Sequence, residues 1–115
     1  YRDRLVESRK ILMKSSLKLG YGTDLVTGYN NYECGREYSA WMRNGMSPFR
    51  TLKAATAVNA DILGIGDRTG TIEPGKLADL AGWRRDLLTD DLALLDCSFV
   101  MKEGVVYPTI SIIGK

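Results

Sequence analysis

The sequence predicts an α/β chain in which helices come first and strands come last. Two observations support this prediction. Up to Gly66, apolar residues recur at the three- and four-residue spacing of helices. After Gly66, glycines, turn signals and short apolar runs dominate, which is typical of strands. We therefore divide the chain into a mainly helical part, residues 1–64, and a mainly β part, residues 65–115.

Three helices are predicted in the first part. Residues 2–17 carry apolar or small side chains on one helical face and charges on the other, and residues 32–44 also show a helical apolar face. The third helix has Ser47 as its N-cap and Pro48 in its first turn, where the missing N–H has no cost. It is predicted to end at Gly64.

A short extended element is predicted between the first two helices. Residues 19–22 contain two glycines and lead into Thr23 and Asp24. Residues 25–31 have no periodic pattern and are predicted as a loop.

Turns and short strands are predicted in the second part. Pro74–Gly75 is typical of a type II turn, because proline presets the first central position and glycine accepts positive φ at the second. A β-hairpin is predicted over residues 99–107. Extended segments are predicted at residues 70–72, 77–82 and 110–113, and the second of these is expected to pair with the first. A loop with a short helix is predicted at residues 86–96.

The composition excludes several classes of function. No histidine is present, so the chain cannot contain a Ser-His-Asp or Cys-His relay or a histidine-ligated zinc site. Its 16 basic and 14 acidic residues nearly balance, and no basic run exceeds Arg84–Arg85, so nucleic acid is not an expected partner. The apolar stretches are too short to cross a bilayer, so no membrane partner is expected.

The two cysteines, Cys34 and Cys97, lie in segments of different character. We expect both to be reduced, small buried residues, as is typical of a cytoplasmic protein. The sequence shows no signal peptide and begins on Tyr1 rather than methionine, so we expect a piece of a longer protein.

Five motifs occur in a characteristic order along the chain. They are Gly22–Asp24, Asn44–Pro48, Ala54–Gly64, Gly70–Leu80 and Val100–Gly104. The eleven-residue run from Gly70 is the most specific, whereas Gly-Thr-Asp alone is weak. In this order the motifs resemble the C-terminal end of amidohydrolase-superfamily enzymes, particularly the imidazolonepropionase-like and Xaa-Pro dipeptidase-like branch.

The resemblance implies a parent enzyme with a metal-bearing (β/α)₈ barrel and a small composite β-sandwich. Such a barrel alone takes about 250 residues. Residues 1–64 would then be the last βα elements of the barrel, namely helix 7, strand 8 and the closing helices. Residues 65–115 would be the C-terminal strands of the sandwich.

Asp24 is the candidate catalytic residue. Catalytic groups of such a barrel sit at the carboxyl ends of strands, and Asp24 directly follows the predicted extended element. The resemblance implies that the matching aspartate, at the end of strand 8, ligates the metal and carries a proton to the leaving nitrogen. The alternative is that Asp24 only turns the chain at a strand end.

The remaining metal ligands of the resembled family cannot come from this chain. The family takes them from a His-x-His motif on strand 1, from histidines on strands 5 and 6, and often from a modified lysine on strand 4. One carboxylate is not a metal site. We therefore expect a divalent metal, zinc or similar, in the parent, and neither tight metal binding nor hydrolysis by the 115-residue chain alone.

Other polar residues are weaker candidates. Tyr29 and Asn30 lie on the loop after the extended element and could face a substrate, although exposure of a loop to solvent explains their polarity better. Arg36 and Glu37 begin a predicted helix and are expected on its solvated face.

Asp79 lies in a segment otherwise suited to a buried strand. Because a buried unpaired carboxylate is costly, we expect it to accept backbone hydrogen bonds at the turn around Pro74–Gly75. Residues 81–85, Ala-Gly-Trp-Arg-Arg, stand where the resembled family has valines and isoleucines before an acidic turn. This departure puts the continuity of the predicted strand in question.

Two functions of different class follow. In the first, the parent is a metal-dependent hydrolase of C–N bonds in amide, cyclic amide or peptide-like substrates. In the second, the chain is a non-catalytic assembly domain that uses unpaired strands and an apolar helix face. We expect a homo-oligomer. An independent binding module is disfavoured because no ligand motif is visible, and peptide, ring-amide, deaminase and carbamate substrates all stay open.

Overall fold

A computed structural model describes residues 2–24 and 34–109. Helices precede strands in this part of the chain, as predicted. In chain order the elements are α1 (Arg2–Lys14), α2 (Arg36–Arg43), α3 (Pro48–Lys53), a π-helical turn (Ala54–Val58), α4 (Asn59–Ile62), β1 (Leu80–Trp83), a 3₁₀ turn (Ala93–Leu95), β2 (Cys97–Lys102) and β3 (Val105–Tyr107). The predictions for residues 25–31, including Tyr29 and Asn30, and for 110–113 lie outside the described residues.

The predicted first helix is present and ends at Lys14. None of its residues is buried, although Met13 packs against the core. The chain that follows α1 is held by Arg50, whose guanidinium donates to the carbonyls of Met13 at 2.9 Å and Ser15 at 2.5 Å. The last carbonyls of a helix have no partner within it, so a cationic donor at this end is stabilising.

The core lies beside α2. Tyr38 is completely buried, and Trp41 is buried together with Met46 and Ala54 from the following segment. The helix starts at Arg36, and the first two residues of its predicted range lie outside the described residues. The partly buried residues that pack against this cluster are Met13, Leu19 and Tyr21.

The third predicted helix is confirmed as a continuous run through α3, the π-helical turn and α4. The Ser47 side chain accepts a hydrogen bond from the backbone of the first turn, and Pro48 occupies that turn. Gly64, with φ of 70°, follows its end. The π-helical turn is not predicted from the sequence, and such turns are rare insertions that occur often at functional sites.

The three strands form an antiparallel sheet in the order β1-β2-β3. The predicted hairpin is confirmed as β2 and β3, which pair antiparallel. Glu103 and Gly104 join them with φ of 50° and 82°. Positive φ at both central residues is the requirement of a type I′ turn, whose twist matches that of the flanking strands.

The predicted strand at residues 70–72 is wrong. Gly70 instead packs against the helical run: a Cβ added there would lie 2.5 Å from the Ala60 Cβ, and its φ is 96°. The later part of the predicted segment 77–82 does form a strand, β1, but it pairs with β2. Because Gly70 is committed to the helix contact, its segment is not available as a strand partner.

The type II turn is confirmed. The Lys76 N–H donates to the Glu73 carbonyl at 3.2 Å, and Gly75 between them has φ of 88°. The Lys76 ammonium group donates to the Gly66 carbonyl at 2.7 Å and to the Thr71 hydroxyl at 2.6 Å. Side-chain hydrogen bonds therefore hold this loop where strand pairing was expected.

β1 runs through the departure at residues 81–85 as far as Trp83, with a register shift between Gly82 and Trp83. An irregularity of this kind bends a strand and increases its twist. The short helix predicted within residues 86–96 is confirmed as the 3₁₀ turn. Within the described ranges, no helix is long and apolar enough to span a membrane.

Candidate active-site segment around Asp24

Residues 19–24 run along the core, against which Leu19 and Tyr21 pack, and join no sheet in the described part of the chain. The segment predicted as a short extended element is held here by a side chain. Asn59 Oδ1 accepts from the Tyr21 N–H at 2.8 Å, and Asn59 Nδ2 donates to the Tyr21 carbonyl at 2.8 Å. An amide side chain thus offers one acceptor and one donor, the pair that a neighbouring strand would present.

Asp24 ends this segment. It is exposed, and its φ of 47° lies in the left-handed region, which aspartate tolerates better than most residues. Its Oδ1 lies 3.9 Å from the point where a Cβ on Gly22 would stand. The carboxylate is therefore accessible, and it lies beside Gly22, which has no side chain.

The Tyr21 ring fixes the segment on its other side. It packs against Trp41 with ring centroids 5.2 Å apart and an interplanar angle of 48°. The Tyr21 hydroxyl is buried without a hydrogen-bond partner among the described residues. Burial raises the pKa of this phenol well above its ordinary value, and the nearby Glu37 carboxylate raises it further, so the hydroxyl stays neutral.

Glu37 is not on a fully solvated face, so that prediction is wrong for this residue. Its Oε1 accepts a hydrogen bond from the Trp41 indole N–H at 2.8 Å, one helical turn away. Arg36 is exposed, as expected. Glu37 therefore supports the Trp41 ring on which Tyr21 packs.

The described residues do not fit a metal ion by themselves. No group of three or more histidine, cysteine, aspartate or glutamate side chains comes together within residues 2–24 and 34–109. Asp24 offers one carboxylate, whereas a structural or catalytic zinc takes at least three protein ligands.

Both cysteines are free thiols. Cys97 is half-buried, but Cys34 is exposed, so its predicted burial is wrong. The reason is local: α2 begins only at Arg36, which leaves Cys34 on the turn before the helix and off its apolar face.

Asp79 has a structural role, as predicted, but at a different turn. Its carboxylate accepts from the Glu103 N–H at 2.8 Å and from the Lys102 ammonium group at 2.9 Å. The hydrogen bond from Lys102 lowers the pKa of Asp79, and the one from the Glu103 N–H adds to this. The predicted location at Pro74–Gly75 is wrong because β1 enters the sheet beside the β2–β3 turn, where the Gly104 N–H also donates to the Ala78 carbonyl at 3.1 Å.

A cleft of about 610 Å³ lies between the helical run and the sheet, away from Asp24. It is mostly apolar, and its walls include Ala60, Leu63, Leu80 and Met101. Two polar side chains on its lining, Asn59 and Asp79, are already engaged with Tyr21 and with the hairpin. Neither of these two side chains is therefore free to act in the cleft.

Asp24 is a candidate from the sequence and stays a prediction, whereas the contacts of Asn59 and Arg50 were not predicted. Their partners are 35 or more positions away along the chain, at Tyr21 and Ser15. The only sequence signal for Asn59 is a polar residue within an otherwise apolar helical run of small residues.

Helices before and after the segment that ends in Asp24, followed by an antiparallel sheet, agree with the order of elements that the sequence predicts. The amidohydrolase family model matches residues 4–111, and the chain belongs to this family of hydrolases. No curated protein sequence matches the chain significantly.

Solved structures share this fold. A Xaa-Pro dipeptidase with methionine bound in its active site matches 91% of this chain at 28% identity, with a TM-score of 0.84. An amidohydrolase matches 89% of the chain at 30% identity with a TM-score of 0.76. An amidohydrolase from Thermotoga maritima matches 88% at 29% identity with a TM-score of 0.69. The chain spans only about a quarter of each of these structures, 26%, 25% and 25%.

Proposed function

We propose that the whole protein to which these residues belong is a metal-dependent hydrolase of C–N bonds in amide, cyclic amide or peptide-like substrates, and that Asp24 is its catalytic carboxylate. The observation that carries this proposal is the exposed Asp24 at the end of a clamped segment in a chain of the amidohydrolase family. Residues 1–64 would close the catalytic barrel, and residues 65–115 would complete a small β-sandwich.

The role proposed for Asp24 is proton transfer. A carboxylate beside the scissile bond can accept the proton of the attacking water and deliver it to the leaving nitrogen. Asp24 would also give one oxygen ligand to a divalent metal such as zinc, whose other ligands would come from outside these 115 residues. The 115-residue chain alone would be inactive.

The first substrate class to test is a dipeptide with proline at its second position. The similarity to a solved Xaa-Pro dipeptidase supports this choice. The two free cysteines support a cytoplasmic location for the protein.

The decisive variant is Asp24→Asn in the whole protein, assayed on methionyl-proline and a panel of other amides. We expect kcat to fall by about 10²- to 10⁴-fold, the usual contribution of a general acid–base group, because the amide cannot carry the proton. Asp67→Asn, which neutralises another exposed aspartate, is the matched control and should keep wild-type kcat. If the Asp24→Asn protein hydrolyses a substrate with wild-type activity, Asp24 takes no part in the reaction.

A non-catalytic assembly role is the second candidate. It is favoured by β3, where Val105, Val106 and Tyr107 are all at least half exposed. Apolar strand edges of this kind pair readily with other chains, so a homo-oligomer is part of the proposal.

A further inference from the structure

Asn59 and Tyr21 make a long-range contact that the proposed function does not use. Two hydrogen bonds of 2.8 Å join one side-chain amide to both backbone groups of one residue. Tyr21 precedes Asp24 by three positions, and the two partners are 38 positions apart. A long-range contact of this kind fixes the position and direction of the backbone that leads to Asp24.

Only a short amide fits at this position. An alanine offers neither hydrogen bond, and an aspartate could accept from the Tyr21 N–H but would repel the Tyr21 carbonyl. The segment also lies close: a Cβ added at Gly20 would stand 3.0 Å from Asn59 Oδ1 and 3.2 Å from the Ile62 side chain. The absence of a side chain at Gly20 therefore lets the backbone approach the amide.

The π-helical turn explains how Asn59 comes to face Tyr21. Ala54, at the start of that turn, is buried in the core against which Tyr21 packs. In a regular α-helix, five residues would turn Asn59 about 140° around the axis from Ala54. A π turn closes its hydrogen bonds over five residues, so residues 54 and 59 come nearer to the same side.

We propose that Asn59 is a positioning residue, which sets the place of the Asp24 carboxylate through the backbone of Tyr21. This inference rests on the proposed function, because it needs Asp24 to act in the reaction. Asn59 itself does not touch the reacting atoms. Among the described residues no strand pairs with this segment, and the Asn59 amide gives it two backbone hydrogen bonds.

The test uses the whole protein with Asn59→Ala, assayed on the substrate found for the wild type. Displacement of a catalytic group by about 1 Å can cost on the order of 10²-fold in rate. We expect kcat to fall about 10- to 100-fold while KM stays within about twofold, because the substrate contacts are unchanged. Asn59→Asp, which keeps the acceptor for the Tyr21 N–H but repels the Tyr21 carbonyl, should also lower kcat.

A readout independent of activity is amide hydrogen exchange of the peptide that contains Tyr21. Loss of the acceptor at Asn59 should accelerate exchange of that N–H about tenfold. Asn44→Ala is the matched control, because the Asn44 side chain donates to the Ala40 carbonyl at 2.7 Å and makes no hydrogen bond to the segment before Asp24. It should leave both kcat and the exchange of this peptide at wild-type values.

A double variant separates this inference from the proposed function. If Asn59 acts through Asp24, Asn59→Ala should cause no further loss of kcat in the Asp24→Asn background. Wild-type kcat in Asn59→Ala, or an equal loss with and without Asp24, would overturn the positioning role while leaving Asp24 catalytic. Wild-type kcat in Asp24→Asn would instead overturn the proposed function, and the positioning role with it.

Discussion

At the level of single residues, Asp79 and Lys102 link the start of β1 to the end of the neighbouring strand β2. The Asp79 carboxylate receives both a charged donor and the Glu103 N–H, so one side chain holds the turn between β2 and β3. Because Lys102 in turn has its pKa raised, chiefly by its hydrogen bond to Asp79, both partners are charged over the whole neutral range. This pair ties β1 to the hairpin independently of the sheet hydrogen bonds.

The pair predicts a pH dependence of stability. The folded-state pKa of Asp79 is lowered, so the ionised group stabilises the fold above its unfolded pKa of about 3.9, and this contribution is lost as the pH falls through the folded value. Asp79→Asn should therefore lower the denaturant midpoint at pH 7 and make no difference in strong acid. Urea unfolding followed by tryptophan fluorescence measures this.

Asp3→Asn, which removes the same charge from the exposed α1, is the control for that experiment. A wild-type midpoint for Asp79→Asn at pH 7 would show that the ion pair contributes nothing to the fold.

Local chemistry made some of these residues predictable. Ser47–Pro48 is a helix start that depends only on neighbouring residues, and the structure confirms it. Asp24 is a candidate because it follows a glycine-bounded segment within a motif, and its role stays a prediction. Asn59 and the true partner of Asp79 depend on contacts between distant positions, which leave no periodic signal in one sequence.

At the level of elements, hydrogen-bonding rules and periodicity predicted the three helical segments and the β2–β3 hairpin. The prediction of a strand at residues 70–72 was wrong. These residues are of strand-forming types, but Gly70 packs on Ala60. The π-helical turn was not predicted, because Ala54–Val58 has no sequence feature that distinguishes it from an α-helix. Tertiary packing decided both.

The exposed β3 strand leads to a prediction about association. One edge of β3 pairs with β2, and its side chains are exposed. We expect the 115-residue chain to form dimers or larger oligomers in light scattering, and Val106→Lys to shift it toward the monomer, because a charge on an edge strand opposes pairing.

Ile72→Lys is the matched control for β3. Ile72 is more exposed than any residue of β3, at 89%, but it lies outside the strands. A stable wild-type monomer at working concentrations would contradict the association.

At the level of the whole molecule, the chain is a hydrolase-family segment about a quarter as long as its solved neighbours. Its 115 residues lack histidine, and its described residues bring no three metal-ligating side chains together. The chain belongs to the family but lacks a complete set of metal ligands. Both facts are explained if Asp24 contributes one ligand to a metal site whose other ligands lie outside these 115 residues. Zinc binding therefore tests whether Asp24 belongs to such a site.

The measurement is isothermal titration calorimetry with zinc, on the whole protein and on the 115-residue chain, each with Asp24 and with Asp24→Ala. We expect the whole protein to bind zinc, Asp24→Ala to weaken that binding, and the 115-residue chain to show no micromolar affinity, because one carboxylate does not form a site. Micromolar zinc affinity of the 115-residue chain, abolished by Asp24→Ala, would show instead that these residues form a metal site without the rest of the protein.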